Sequence, residues 1–151
     1  LNLAKAFGAD ITINSLNTTA EERIDIVRQA TNGFGANVVC ECSGVNAVIE
    51  EGLDMTRKTG VYIETGHFVD VGPNSINMHK VCAKNLRIIG MNNHAVTGYV
   101  PTMEMMLRHE KDFPWEKFFS HHFNLDDYEE ALKTSMTAES MKVIVRAQND
   151  L

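Results

Sequence analysis

The sequence predicts an α/β fold built on a parallel sheet, and three observations carry that prediction. Apolar runs of strand length recur at Val38–Val39, Val61–Ile63 and Leu86–Ile89; segments of helical apolar spacing separate them; and the first two runs end in glycine, at Gly44 and Gly66. Strands buried on both faces read as continuous apolar runs, and helices between strands imply parallel crossovers rather than a meander. In an open sheet of this kind the carboxyl ends of the strands border the binding crevice, which makes the glycine turns candidate sites.

In chain order, Leu1–Asp10 reads as the end of a helix closed by Gly8, and Ile11–Asn14 as a short strand. Thr19 and Glu22 form a capping box for a helix whose apolar face is Ile24, Val27 and Ala30 or Thr31. The stretch from Gly33 to Gly44 is a strand running into a tight turn, and Val45–Met55 is a helix with Val48, Ile49 and Leu53 facing inward. Gly60–Gly66 is the next strand. A loop containing Pro73 and a short helix, Met78–Ala83, lead to the strand Leu86–Asn93 with its polar end. The last third changes rhythm. Val100–His109 is a methionine-rich helix, Pro114–Trp115 interrupts, and Phe118–Phe123 is extended. Asp126 or Asp127 then opens the helix Tyr128–Ser135, and Met141–Val145 is a final strand. No internal repeat or low-complexity segment stands out.

Composition narrows the function classes. The chain has 151 residues, 44% of them hydrophobic, enough for a domain with its own core. A net charge of -6 argues against a nucleic-acid surface. No apolar run long enough to span a bilayer occurs and the N-terminus carries no export pattern, so no membrane partner is expected. Cys40, Cys42 and Cys82 are odd in number, which suits free thiols in a reducing compartment and a cytoplasmic address.

The motif G-A-N-V-V-C-E-C-S-G at Gly35–Gly44 resembles a strand and turn of the medium-chain dehydrogenases of the zinc alcohol dehydrogenase family. The run H-H-F-N-L-D-D-Y-E-E-A-L from His121, followed by M-K-V-I-V from Met141, resembles the C-terminal segment of the same enzymes. The resemblance implies a Rossmann-like doubly wound parallel sheet. The chain carries neither the G-x-G-x-x-G turn nor the acidic residue that follows it, so the sheet is expected to lack its first two strands. Residues 1–98 would be the second half of the NAD(P)-binding domain and residues 99–151 a segment returning to the catalytic domain.

The resemblance also implies a site. Cys42, Ser43, Gly44 and Val45 would pack near the cofactor ribose; Thr65, Gly66 and His67 would lie by the nicotinamide; Met91, Asn92 and Asn93 would present backbone groups to its carboxamide. Lys142 would stand near the pyrophosphate as a point charge. No catalytic group is expected in this chain. No metal ligand set is expected either, because His121 and His122 point to opposite faces and the Cys40–Cys42 pair lacks partner ligands. Zinc would belong to the full-length parent only. The implied parent moves hydride between NAD or NADP and a small alcohol or carbonyl substrate. A zinc-free quinone reductase of the same fold, or a non-catalytic binding module, are the alternatives. Relatives pair the strand corresponding to Leu86–Asn93 across a two-fold axis, which implies a homodimer or a tetramer. Glu41 reads either as a carboxylate with a raised pKa or as a structural hydrogen-bonding group. The methionines at 103, 105 and 106 read as helix core, and the acidic cluster at 126–130 as charge compensating a helix N-terminus.

Overall fold

The structure, a computed structural model, describes residues 1–70, 72–93 and 95–147. Its helices are α1 (Asn2–Ala6), α2 (Ala20–Ala30), α3 (Asn46–Met55), α4 (Met78–Lys84), α5 (Tyr99–Arg108) and α6 (Tyr128–Ser135). Its strands are β1 (Ala36–Glu41), β2 (Thr56–Glu64), β3 (Arg87–Gly90), β4 (His121–Asn124) and β5 (Val143–Arg146). The chain forms two compact units, Ile13–Tyr99 and Leu1–Thr12 with Val100–Leu151. No helix among the described residues is long and apolar enough to cross a membrane.

In the unit Ile13–Tyr99 a three-stranded sheet runs in the order β1-β2-β3, with both pairings parallel. The register Val39↔Tyr62↔Ile88 puts those side chains on one face, where α3 supplies Ile49 and Leu53 to the core and Val81 and Leu86 pack against it. The capping box at α2 is present as the sequence predicts, with Glu22 N–H donating to Thr19 Oγ1 at 3.2 Å and Thr19 N–H to Glu22 Oε2 at 2.8 Å. The end of α3 has a cap no sequence pattern announces. Lys84 Nζ donates to the carbonyls of Leu53, Asp54 and Thr56 at 2.7, 2.9 and 3.0 Å, satisfying acceptors that a helix end leaves without partners. Burial in that position pulls the Lys84 pKa down.

Three segment predictions need correction. Ile11–Asn14 is not a strand: no described strand pairs with it, and the Asn14 side chain accepts the Leu16 N–H at 3.0 Å to start a 3-10 turn instead. The second strand begins at Thr56 rather than Gly60, and its pairing with β1 slips between Ala36↔Thr56 and Val38↔Val61 around Thr59, which is left-handed at φ +60. The third is shorter, since β3 covers only Arg87–Gly90 of Leu86–Asn93.

In the other unit, Gly8 at φ +90 ends α1 in a Schellman motif, with Gly8 N–H donating to Lys5 O and Ala9 N–H to Ala4 O, both at 3.0 Å. Phe7, Phe113 and Trp115 form an aromatic cluster with ring centroids 5.6–5.8 Å apart, and Trp115 Nε1 donates to His109 O at 3.0 Å. Strands β4 and β5 pair in parallel, joined through α6.

Candidate functional site

Because β1, β2 and β3 are parallel neighbours, their carboxyl ends lie side by side and bring three chain reversals to one edge of the sheet. The first two are the same device. Glu41 ends β1 and its carboxylate accepts the N–H groups of Ser43, at 2.7 Å, and Gly44, at 3.1 Å; the Ser43 hydroxyl donates to the same oxygen. Glu64 ends β2 and accepts the N–H groups of Gly66 and His67 at 3.1 and 3.2 Å. Burial of Glu41, only 6% exposed, pushes its pKa up, but the donors from Ser43 and Gly44 outweigh that and hold it below the ordinary carboxylate range. The structural role anticipated for Glu41 therefore holds, and the raised pKa does not.

The two turns are locked together. Thr65 donates both its N–H and its hydroxyl to Glu41 O, at 2.9 and 2.7 Å. Gly44 sits at φ +68, and a Cβ there would lie 2.5 Å from Gly66 O; a Cβ on Gly66 would strike the Glu41 carboxylate and the Gly44 backbone. These glycines are needed for close approach of the two turns to each other, a reason distinct from approach to a ligand. His67 turns inward: its Nδ1 is 3.0 Å from Glu64 Oε1 and 3.6 Å from Glu41 Oε2, while Nε2 meets Asn46 Oδ1 at 2.9 Å. On the same face, the Tyr62 hydroxyl is buried with no hydrogen-bond partner among the described residues, and desolvation together with the Glu64 and Glu41 charges pushes its pKa up.

At the third reversal Met91 N–H donates to Glu64 O at 2.9 Å. Beyond it, Thr65, Phe68, Met91, Asn92 and Asn93 line a cavity of about 410 Å³. The structure thus brings Thr65 together with Met91, Asn92 and Asn93, and places Cys42, Ser43, Gly44 and Val45 on the neighbouring turn. Lys142 lies in the other unit, where it borders an apolar cavity of about 320 Å³ with Met105, Met106, Trp115 and Phe119.

This hydrogen-bond pattern limits the chemistry. The N–H groups of Ser43, Gly44, Thr65, Gly66 and His67 are all spent on Glu41 or Glu64. Neither turn is an anion cradle, and the edge suits an uncharged, planar or sugar-like group better than a phosphate. Glu41, Glu64 and His67 do bring donor atoms within 4.8 Å of one another. Their oxygens and Nδ1 are engaged by Ser43, Gly44, Gly66 and each other, so the set does not fit a resident zinc ion. Sequence reading missed Glu64 and Asn46. A signal existed: both strands end in Glu, with a glycine two or three residues further on.

A crevice at the carboxyl ends of parallel strands defines a nucleotide-fold class of α/β protein, and solved structures agree. An alcohol dehydrogenase from Thermotoga maritima superposes with a TM-score of 0.88 at 28% identity, covering 95% of this chain and 39% of that one. A short chain alcohol dehydrogenase from E. coli CFT073, complexed with cofactor NADH, shares the fold at a TM-score of 0.76 and 18% identity, over 95% of this chain and 40% of its own. Among curated proteins, the sorbitol dehydrogenase of Halalkalibacterium halodurans is 27% identical over 145 residues, 96% of this chain and 40% of that enzyme. The sequence model of the zinc-binding dehydrogenases matches residues 1–108, and the chain belongs to that family. It spans about 40% of the length of the relatives it matches.

Proposed function

We propose that this chain forms the nicotinamide-side wall of the cofactor crevice in an NAD(P)-dependent alcohol or polyol dehydrogenase. The observation that carries the reading is the 410 Å³ cavity, which joins the ends of β2 and β3 at Thr65, Met91, Asn92 and Asn93. It is open, bordered by amide side chains and apolar surface, and has no charged residue among the described ones that line it, which suits a nicotinamide ring and its carboxamide. When bound, the nicotinamide supplies hydride acceptance or donation. The residues of this chain bind and orient. Met91, Asn92 and Asn93 face the carboxamide, Thr65 and Gly66 bound the ring, His67 buttresses their turn from within, and Cys42–Val45 back the ribose. Zinc, where the parent uses it, is held by residues other than these. The sorbitol dehydrogenase relative favours a polyol or secondary alcohol as substrate.

Replacing Asn92 with Phe tests the reading. Asn92 is exposed, so the variant keeps its melting temperature while its ring fills the cavity. In the complete dehydrogenase, NADH fluorescence titration should show the Kd rising by about tenfold or more, a loss of at least 1.4 kcal/mol. Unchanged affinity sinks the assignment.

The same reading extends to assembly. Strand β3 is an edge strand whose Ile88 and Ile89 are 44% and 49% exposed, an apolar edge that proteins cover or pair. It pairs with its copy in a homodimer, or a tetramer built from one. Ile89→Lys should then shift the complete protein toward monomer in light scattering, and an unshifted mass would count against the edge.

A further inference from the structure

On the sheet face opposite α3, Cys40 and Cys42 hold their sulfur atoms 3.5 Å apart, and both residues are exposed. Their backbones differ in freedom. Cys40 is paired within β1 opposite Ile63, whereas Cys42 is the first residue beyond the strand. Their sulfurs differ in environment too. Thr65 Oγ1, whose proton goes to Glu41 O, lies 3.3 Å from Cys42 Sγ, and the contact with Cys42 together with burial raises the Cys40 pKa. The contact holds Cys40 as the thiol, which leaves Cys42, on the freer backbone, as the sulfur that meets an oxidant first.

We propose that Cys40 and Cys42 form a redox modification site, closing into a reversible intrachain disulfide when a low-molecular-weight disulfide such as oxidised glutathione is present. The Cys42 thiolate attacks one sulfur of oxidised glutathione, forming a mixed disulfide and expelling one glutathione thiolate, which takes up the proton Cys42 released. Cys40 then gives its proton to solvent and attacks the Cys42 sulfur; the Cys42–glutathione bond breaks and a second glutathione thiolate leaves and is protonated. Two cysteine thiols are oxidised, and one glutathione disulfide is reduced to two thiols. Cys82, exposed on α4, has no neighbouring thiol and stops at the mixed disulfide.

Closing the bond draws Cys42 toward Cys40, and Cys42 sits between Glu41 and Ser43, the acceptor and a donor of the first turn. Oxidation therefore pulls on that turn. That this bears on cofactor binding rests on the function proposed above, but the disulfide itself does not.

The test uses the 151-residue chain, incubated with oxidised glutathione at mildly alkaline pH and quenched with N-ethylmaleimide. The tryptic peptide Gln29–Arg57 should lose two hydrogens and take up no maleimide, with dithiothreitol restoring both thiols. Cys40→Ser should stall as a glutathione adduct on Cys42, and Cys42→Ser should react about tenfold more slowly at Cys40. A lasting glutathione adduct on the Gln29–Arg57 peptide of the unsubstituted chain, a dimer linked through Cys40 or Cys42, or full maleimide uptake by both of these cysteines would overturn the proposal. Amide hydrogen exchange at Ser43 and Gly44 reads the pull on the turn. It should accelerate on oxidation and recover on reduction, and exchange that ignores redox state overturns the coupling. No arm contains NAD(P), so failure here is separable from failure of the proposed crevice.

Discussion

The two faces of the β1-β2-β3 sheet have nearly the same apolar sequence and opposite surroundings. On one face Val39 and Tyr62 meet Ile49 and Leu53, and Tyr62 and Leu53 are 1% and 0% exposed, while Ile88 on the edge strand of that face stays 44% exposed. On the other, Val38 and Ile89 are 55% and 49% exposed. An antiparallel sheet with one wet face alternates apolar and polar residues, whereas these strands carry Val38, Cys40, Ile63 and Ile89 on the open side. The sequence is therefore suited to cover on both faces, as a doubly wound fold provides, and within this unit the described helices that reach the sheet supply one of them. Stability should track that asymmetry.

The largest effect belongs to the covered face. Leu53→Ala removes a fully buried side chain between Ile49 and Tyr62 and should cost about 2–5 kcal/mol, read as a lowered urea midpoint. A loss under about 1 kcal/mol would mean that this face is no better packed than the open one.

Next comes the polar end of the same face. Glu41→Gln keeps one acceptor oxygen but gives up the charge that Ser43 and Gly44 solvate, and should cost about 1–3 kcal/mol near neutral pH. Folding lowers the Glu41 pKa, so its contribution is fully present above the unfolded-state value, about 4.3. It drains away as pH falls through the lower folded value. The stability gap between the parent chain and Glu41→Gln should thus narrow on acidification below about pH 4. A gap constant from neutral to acid pH would refute the turn-capping role.

How much of this was legible in the sequence follows the range of the interaction responsible. The capping box Thr19–Glu22, the closure of α1 by Gly8, and Ile49 and Leu53 on α3 depend on neighbours within a turn or two, and periodicity reveals them. The Lys84 cap on α3 joins residues 28–31 positions apart, and the Glu64–His67–Asn46 link depends on which strands lie adjacent. No local pattern contains that information. Ile11–Asn14 failed for the converse reason: its composition is β-like, but a strand needs a ladder, and the Asn14 side chain offers the backbone a local partner instead. In the candidate site, the glycine turns were visible as glycines, while the purpose of Gly66, making room for Gly44 and Glu41, emerges only when β1 and β2 are placed side by side.

A smaller effect is expected where the covering layer itself begins. Thr19→Ala removes the N-cap of α2, the helix packed on α3, and should cost about 1 kcal/mol. Circular dichroism during urea unfolding would show whether α2 is lost together with the sheet or frays before it. A separate early transition would mean that α2 is not part of the cooperative unit holding the covered face.

The smallest effect, at Val38, is the one that defines the comparison. Val38 and Val39 are adjacent on β1 with the same side chain, yet Val39 packs against the core and Val38 stands 55% exposed. Replacing each in turn with Thr exchanges a methyl for a hydroxyl of similar shape, so the difference between the variants isolates the desolvation of one polar group. Val39→Thr should cost about 1–3 kcal/mol, because its hydroxyl enters an apolar layer without a partner. Val38→Thr should stay within about 0.5 kcal/mol in the 151-residue chain, since water still reaches it. If the open face is covered in a longer protein that contains this chain, the same Val38→Thr substitution made there should cost as much as Val39→Thr. Equal costs already in the 151-residue chain would show that its two faces are not the contrast drawn above, whereas a Val38 cost that stays near zero in such a longer protein would show that nothing packs on this face there.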